Sequence, residues 1–351
     1  MDQPESDFSG SEIILSKPRV LSGIQPTHDS FHLGNYLGAL KQWVQLQDSH
    51  DAFYCVVDLH ALTVETGPKN FKHRTLVSAA QLVALGIDPN KSTLFIQSQV
   101  PAHNQLAWVL ECITGFGEAS RMTQFKDKSQ KAGSDRTVVG LFTYPILQAA
   151  DILLYQAEFV PVGEDQRQHI ELTRDLGQRF NNTFKTSRPV FKIPQPHIVK
   201  SIAKINDLQE PTAKMSKSSA SMLGVVEMLE PADSIMKKFK SAVTDAGKEI
   251  KFSEKDKAGI SNLITIYSAL TGKTHDQIEQ EFAGKGYGDF KIKVAEVVIE
   301  TFAPIRTKTN DLLSDPAELS KILKAGSAKA NQVANQTLSD AYAALGVVQN
   351  G

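Results

Sequence analysis

Two lysines in a short serine-rich string are suited to binding a polyphosphate. Lys214 and Lys217 enclose Met215 and Ser216, and Ser218 follows. Ammonium groups bind phosphate oxygens as compact charges, and hydroxyl groups add hydrogen-bond donors. A loop of this composition can close over a nucleotide and stabilise the negative charge that develops on a departing pyrophosphate. The string therefore predicts a phosphate-binding loop, and a flexible surface linker is the alternative.

A second candidate phosphate site lies near the N-terminus, where a predicted strand leads into a predicted helix. The string SGIQPT (22–27) forms the turn, and the string HLGN (32–35) opens the helix. Backbone N–H groups at a helix N-terminus attract phosphate, and Gly34 lets a base or phosphate approach the backbone closely. His32 and Asn35 supply side-chain donors. This segment predicts a nucleotide contact, and an ordinary strand–turn–helix junction is the alternative.

The elements that would position these strings alternate between strand and helix in the first half of the chain. Apolar, β-branched runs predict strands, and residues at helical spacing predict helices between them. The predicted strands are 19–23, 52–58, 93–96 and 159–162, and one predicted helix is 71–85. This rhythm predicts an α/β fold with a Rossmann-like parallel sheet, which binds ligands at the carboxyl ends of its strands.

The second half of the chain has a different pattern. Apolar residues at helical spacing recur in 260–270 and 294–305, and candidate strands become scarce. We therefore expect three parts: a disordered tail over 1–15, a Rossmann-like catalytic domain over 16–218, and an all-helical domain over 219–351. The last helices of the third part could pack back onto the catalytic domain.

Composition excludes several classes of protein. The 351 residues carry a net charge of −1, so a nucleic-acid site would have to be a local basic patch. The two cysteines, Cys55 and Cys112, have no C-x-x-C spacing, which argues against structural zinc and a disulfide scaffold. The first dozen residues lack the apolar core of a signal peptide, and no run approaches the roughly 18 apolar residues of a membrane span. We expect a cytoplasmic protein that does not bind membranes.

The strings identified so far belong to a longer series that resembles the class I aminoacyl-tRNA synthetases. The similarity is strongest to the bacterial-type tryptophanyl-tRNA synthetases and runs from about Pro18 to the C-terminus. The strings that carry it are SGIQPT (22–27), HLGNYLGAL (32–40), LFIQSQVPAH (94–103), RMTQFK (121–126), TYPILQAADILLY (143–155), VPVGEDQRQHIELTRDLGQRFN (160–181), KMSKS (214–218), KSAVTD (240–245), GISNL (259–263) and GKGYGDFK (284–291).

The resemblance implies a two-step reaction and a set of partners. L-tryptophan and ATP would form tryptophanyl-adenylate and pyrophosphate, and tryptophan would then pass to the 3′ end of tRNA(Trp). Mg²⁺ would be carried on the triphosphate, with no metal site in the protein. The family also implies a homodimer, a helical domain over 219–351 that binds the anticodon, and no interaction with DNA.

The resemblance further implies roles for individual residues. The implied catalytic residues are Thr27, His32, Asn35, Lys214 and Lys217. The implied ATP contacts are Gln25, Pro26, Thr27, Gly34, Asn35, Gly163, Glu164, Asp165, Ile202, Lys214, Met215, Ser216, Lys217 and Ser218. The implied tryptophan contacts are His60, Tyr144, Gln148, Asp151 and Gln166. Two departures from the family pattern are a one-residue-longer segment over 25–34 and Gln148 where many members have Met.

Chemistry offers a reason for the role of Asp151. An indole ring has one N–H donor on an apolar bicycle, so a selective pocket needs apolar walls and one buried acceptor. Asp151 is a single carboxylate in an apolar helical run, and Tyr144 and Gln148 share its helix face. A structural hydrogen-bonding role for Asp151 is the alternative.

Three other functions stay open at this point. A tyrosyl-type synthetase would also need a buried acceptor, for the hydroxyl group of its substrate. Another adenylyltransferase could use the same helix start, but it would have no evident use for the long helical part. A non-catalytic tRNA-binding paralogue would not need Lys214, Lys217 and Asp151.

Overall fold

Five parallel strands form one sheet at the centre of the fold. The computed structural model describes residues 17–63, 68–122, 138–163, 166–198, 204–216 and 221–349. The strands are β1 (Arg19–Ile24), β2 (Asp51–Val56), β3 (Thr93–Ile96), β4 (Phe159–Val162) and β5 (Gln195–Ile198). Their order across the sheet is β3-β2-β1-β4-β5. From β1 the sheet grows first to one side, through β2 and β3, and then to the other side, through β4 and β5. The switch point between β1 and β4 is where doubly wound sheets place their ligands.

Helices connect the strands and make up the region beyond the sheet. The helical segment α1 (33–49) has a π-helical part over Tyr36–Leu40. The other helices are α2 (Asp58–Ala61), α3 (Pro68–Leu85), α4 (Ala102–Ile113), α5 (Phe116–Ser120), α6 (Val139–Leu154), α7 (Arg167–Thr183), α8 (Ala232–Lys240), α9 (Ala258–Thr271), α10 (His275–Glu281), α11 (Tyr287–Ser314) and α12 (Pro316–Leu345). Within the described ranges, no strand follows β5. The α/β class with a helical C-terminal region is thus confirmed.

The strand predicted over 52–58 ends earlier than expected. β2 stops at Val56, and Asp58 begins α2. The Asp58 carboxylate accepts hydrogen bonds from the backbone N–H of Ser98, at 2.9 Å, and from its hydroxyl group. These bonds connect the end of β2 to the end of β3, so the chain turns here although its apolar pattern continues.

The sheet has an apolar layer on each face, because side chains alternate along every strand. One layer contains Val20 and Tyr54 and continues into α9 and α11, where Ile260 and Phe302 are buried. The other layer contains Leu21, together with helices α4, α6 and α7. Both faces of the sheet are therefore covered, as parallel sheets require.

Helix α12 packs against the sheet instead of extending the helical region outward. Its buried residues Ala330 and Ala334 join the second apolar layer. At Gly326 the helix lies so close to β3 that an added Cβ would be 1.8 Å from the carbonyl oxygen of Leu94. The domain division at 218/219 stays a prediction, and the predicted tail over 1–15 lies outside the described residues. None of the described helices is long and apolar enough to cross a membrane.

Candidate active site

A large cavity opens at the carboxyl ends of β1 and β4. Its volume is about 850 Å³, and its walls include Gly23 and Gln25 from the end of β1 and Gly163 from the end of β4. The start of α1, the middle of α6 and the loop ending at Ser216 complete the walls. The sheet topology thus brings together segments that are distant in the sequence.

The start of α1 is held by two reciprocal hydrogen bonds. The backbone N–H of Asn35 donates to Nδ1 of His32 at 3.2 Å, and the backbone N–H of His32 donates to Oδ1 of Asn35 at 3.1 Å. This capping arrangement satisfies N–H groups that a helix start leaves unpaired and orients both side chains. An added Cβ on Gly34 would lie 3.0 Å from the His32 ring, so a larger residue would crowd this part of the cavity wall.

The loop that carries Lys214 begins as a tight antiparallel pair. Asn206 lies opposite Lys214, and two hydrogen bonds flank this pair: Asp207 N–H to Ala213 C=O at 2.9 Å, and Met215 N–H to Ile205 C=O at 3.0 Å. We refer to residues 204–216 as the lysine hairpin. Its Lys214 is exposed and lines the cavity.

Backbone contacts also hold the chain after the lysine hairpin beside α1. The Leu33 N–H donates to Val226 C=O, and the Met228 N–H donates to Phe31 C=O, both at 2.8 Å. Met215 is buried in the same apolar cluster as Leu33. The two candidate phosphate-binding segments therefore face one cavity, although about 180 residues separate them in sequence.

Asp151 also lines the cavity, and its carboxylate has three side-chain donors. Nδ1 of His103 is 2.6 Å from Oδ1, and Nε2 of His60 is 2.7 Å from Oδ2. Nε2 of Gln97 lies between the two oxygens, at 2.8 and 2.9 Å. The carboxylate is thus buried and fully hydrogen-bonded, not the lone group that the sequence suggests.

This arrangement keeps Asp151 ionised. Burial by itself would raise the pKa of the carboxyl group, but the charges and hydrogen bonds of His103 and His60 outweigh it and hold the pKa well below 3.8. Because an ionised carboxylate only accepts, the His103 nitrogen facing it carries the proton. The other ring nitrogen, Nε2, forms a hydrogen bond with the Tyr155 hydroxyl at 2.8 Å.

The other predicted tryptophan contacts surround Asp151 in the cavity wall. His60, Tyr144, Gln148 and Gln166 all line the cavity. The Tyr144 hydroxyl is 3.1 Å from Nε2 of His169, and burial raises the pKa of Tyr144 to about 12, so this phenol stays protonated at neutral pH. The wall between these groups is apolar where Val57, Ile152 and Val160 contribute.

The predicted ATP contacts fall into three groups. Gln25, Gly34, Asn35, Gly163, Lys214, Met215 and Ser216 line the cavity, as does the predicted catalytic residue His32. Pro26 and Thr27 follow β1 but do not line the cavity. The Thr27 hydroxyl is 3.2 Å from Nδ1 of His28. Glu164, Asp165, Ile202, Lys217 and Ser218 lie outside the described residues. The roles assigned to all these residues stay predictions.

Sequence reasoning missed Gln97 and His103, which bind Asp151, and Tyr155, which binds His103. Gln97, His103 and Tyr155 are all buried. Gln97 comes directly after β3, so the rule that ligand sites form at strand carboxyl ends could have identified it. His103 and Tyr155 lie within strings already matched to the family, but no local pattern connects either of them to Asp151.

In the described part of the chain, no three His, Cys, Asp or Glu residues converge in a way that could hold a metal ion. The polar groups of the cavity are instead hydrogen-bond donors, acceptors and the ammonium groups of Lys204 and Lys214. Chemically, the site offers a polar part with two lysines, whose charge suits phosphate, and an apolar part with one ionised acceptor.

Comparisons with known proteins agree with this geometry. A curated relative, "Tryptophan--tRNA ligase 2" of Streptomyces avermitilis, is 58% identical over 330 residues, covering 94% of this chain and 97% of the relative. The solved tryptophanyl-tRNA synthetase of Mycoplasma pneumoniae has a TM-score of 0.84 at 36% identity, covering 95% of this chain and 98% of that one.

A second solved structure is the Campylobacter jejuni tryptophanyl-tRNA synthetase complexed with ADP and tryptophan. It has a TM-score of 0.82 at 34% identity, covering 94% of this chain and 100% of that one. The family described as "tRNA synthetases class I (W and Y)" matches residues 15–303. The chain therefore belongs to the class I tRNA synthetases of the tryptophan and tyrosine group.

Proposed function

We infer that this chain is a tryptophan–tRNA ligase that activates L-tryptophan with ATP and transfers it to tRNA(Trp). The observation that carries this conclusion is the single cavity in which the start of α1 and Lys214 face Asp151. One side suits a triphosphate and the other suits an aromatic ring with one N–H. Relatives named tryptophan–tRNA ligase over nearly the whole chain favour tryptophan over tyrosine.

The first step needs little covalent chemistry from the protein. The tryptophan carboxylate attacks the α-phosphorus of ATP, the bond to the bridging oxygen of the β-phosphate breaks, and pyrophosphate leaves with that electron pair. The nucleophile is already ionised at neutral pH, so no general base is required. Catalysis then consists of positioning and charge stabilisation.

We assign the charge stabilisation in this step to the two candidate phosphate-binding segments. Lys214, with Lys217, would hold the β- and γ-phosphates, while His32, Asn35 and Thr27 would steady the phosphate chain. Gly34 leaves room for adenine. Mg²⁺ would arrive on the triphosphate as part of the substrate, because hard cations of this kind keep several waters and bind through substrate phosphates.

Recognition of the indole N–H requires an acceptor position on Asp151. A carboxylate has about four lone-pair positions, and the three donors already occupy them. Gln97 shares one N–H₂ nitrogen between both oxygens, so turning it toward Oδ1 frees a position on Oδ2 at low cost. We propose that the indole N–H takes this position. An analogue without the N–H would leave the buried charge less well paired.

The second step transfers tryptophan to the terminal ribose of tRNA. The ribose hydroxyl attacks the adenylate carbonyl, and AMP leaves. We propose that the helical region after residue 219 binds the anticodon. At the end of α8, Lys237 and Lys240 line a surface cavity of about 470 Å³, whereas Lys238 is buried against Glu230 and the carbonyl oxygen of Val225. Lys237 and Lys240 are therefore the lysines of α8 placed to bind RNA phosphates.

A homodimer is the assembly that we propose, through an apolar face beside α6. We propose that this face combines the exposed apolar side chains of Leu62, Trp108, Phe116, Val138 and Val139. The Phe116 ring lies 5.2 Å from that of Phe142 on α6. Exposed apolar groups of this size mark interaction sites, and a second copy of the chain is the proposed occupant. The cytoplasmic location stays a prediction.

Amino-acid-dependent exchange of pyrophosphate into ATP tests the proposed reaction. We expect exchange with tryptophan and much weaker exchange with tyrosine, followed by charging of tRNA(Trp). Exchange with tyrosine alone would point to the tyrosyl enzyme. No exchange with either amino acid, combined with retained tRNA binding, would favour the non-catalytic paralogue.

A further inference from the structure

Asn262, on a helix distant in sequence from the cavity, holds the backbone of the lysine hairpin. Asn262 lies in α9, within the GISNL string, and is 5% exposed. Its Nδ2 donates to the backbone C=O of Asn206 at 2.9 Å, and its Oδ1 accepts from the backbone N–H of Asn206 at 2.9 Å. One side-chain amide thus pairs with both backbone groups of a single residue.

The register of the lysine hairpin explains why this contact matters. The hydrogen bonds on either side of Asn206 and Lys214 make them a non-hydrogen-bonded pair. In such a pair the N–H and C=O of each residue point away from the partner strand. The outward groups of Asn206 therefore need a third partner, and the amide of Asn262 takes the place of a neighbouring strand.

A second connection joins α9 to the same hairpin through Val243. At the start of α9, an added Cβ on Gly259 would lie 2.1 Å from the carbonyl oxygen of Val243. The N–H of Val243 in turn donates to the C=O of Leu208, in the hairpin, at 2.8 Å. Both Gly259 and Asn262 of the GISNL string thus serve the attachment of the lysine hairpin to α9.

We propose that Asn262 is a positioning residue for adenylate formation and that it acts through Lys214. This inference rests on the proposed role of Lys214 at the phosphates of ATP. Asn262 does not line the cavity, but it holds the residue opposite Lys214. Since α9 belongs to the region that we expect to bind the anticodon, the contact also connects that region to the catalytic lysine.

The test compares Asn262→Ala with a matched control, Asn181→Ala. Asn181 on α7 makes the same kind of contact to another loop: it donates to Phe191 C=O at 2.9 Å and accepts from the Val190 and Phe191 N–H groups at 3.0 Å. Both substitutions remove a two-sided amide contact, so both should lower the melting temperature. Only Asn262→Ala should affect the lysine hairpin.

The readout is tryptophan-dependent exchange of pyrophosphate into ATP. For Asn262→Ala we expect kcat to fall by about 10- to 100-fold, because small misplacements of a catalytic group have effects of this size. The KM for tryptophan should not change. Asn181→Ala should keep its kcat. In a Lys214→Ala background, Asn262→Ala should cause little further loss, since coupled residues are not additive.

Several results would overturn the inference. If Asn262→Ala has a normal kcat while Lys214→Ala is impaired, the role of Asn262 is wrong and the role of Lys214 stands. The same conclusion follows if Asn262→Ala lowers kcat as much in the Lys214→Ala background as in the unchanged chain. Full activity of Lys214→Ala would overturn it together with the proposed role of Lys214. If Asn262→Ala does not fold, Asn262→Asp is the alternative variant. Its carboxylate still accepts from the Asn206 N–H, but its second oxygen faces the Asn206 carbonyl oxygen and repels it. This variant should also lower kcat.

Discussion

His103 and Asp151 form a buried pair in which the imidazole Nδ1 lies 2.6 Å from the carboxylate Oδ1. Asp151 is on α6, between the apolar layer and the cavity, while His103 comes from the start of α4. The pair keeps a negative charge in a largely apolar wall without exposing it to water. The site therefore presents a charged acceptor whose orientation is set before the substrate binds.

Replacing Asp151 with Asn tests that acceptor. Asn keeps the shape but turns an N–H₂ group toward donors that need an acceptor. We expect the KM for tryptophan to rise by about 10- to 100-fold, because a hydrogen bond to a charged group contributes about 1.5–3 kcal/mol. Steady-state pyrophosphate exchange measures this KM. Asp58→Asn, at another buried carboxylate, is the control; equal effects of the two would remove Asp151 from the tryptophan site.

The low pKa of Asp151 predicts a pH dependence of stability. Its folded pKa lies below the ordinary value of 3.8, so the carboxylate stabilises the fold above that pH and loses this contribution as pH falls through the folded pKa. The destabilisation caused by Asp151→Asn should therefore be largest near neutral pH and shrink below about pH 4. Urea unfolding at a series of pH values measures the difference. A difference that grows on acidification would contradict the assignment.

Tyr155→Phe should loosen the His103 ring. The change removes the hydroxyl on Nε2 of His103 but keeps the ring contacts with Phe53 and Phe95. We expect about 1–3 kcal/mol lower unfolding free energy, because a buried ring nitrogen is left unpaired, and a higher KM for tryptophan. Calorimetry and exchange kinetics report these two effects.

Tyr54→Phe is the matched control for that change. The Tyr54 hydroxyl donates to the backbone carbonyl of Trp43 at 2.5 Å, and this tyrosine is as completely buried as Tyr155. Its loss should lower stability without changing the KM for tryptophan. If both variants raise the KM equally, the effect of Tyr155 is general destabilisation and not positioning.

Gly326→Ala should weaken the packing of α12 on β3. The new methyl group would lie 1.8 Å from the Leu94 carbonyl oxygen, so the helix would have to move. Overpacking of this kind costs about 1–3 kcal/mol. Gly288→Ala, on α11 with nothing within 4 Å, should instead be neutral or stabilise by up to about 1 kcal/mol. Chemical denaturation distinguishes the two, and equal stabilities would contradict the close approach.

Phe116→Lys tests the proposed homodimer. Phe116 is 79% exposed, so a lysine there should leave the fold intact while placing a charge in the interface. Sedimentation velocity should show a dimer for the unchanged chain and monomers for the variant. Val348→Lys, at an apolar residue that is 95% exposed and outside the face, should remain dimeric. A monomeric unchanged chain would remove the dimer from the proposal.

Local patterns in the sequence were sufficient for the class of fold and for the position of several of its elements. Strands such as Thr93–Ile96 and Phe159–Val162 follow from short apolar runs between turn residues, and both were predicted with the correct bounds. The helix start at HLGN and the position of Asp151 on an apolar helix also follow from local spacing. Such features depend on neighbours within a few residues, which the sequence displays directly.

Tertiary structure alone decided what Asp151 contacts and what holds the lysine hairpin. The partners Gln97, His103 and His60 are 54, 48 and 91 residues from Asp151, and Asn262 is 56 residues from Asn206. These hydrogen bonds depend on the order of the strands in the sheet, which brings segments distant in sequence to the same edge. No hydrophobic period or short motif encodes such long-range contacts, so the sequence could identify Asp151 but not its hydrogen-bond partners.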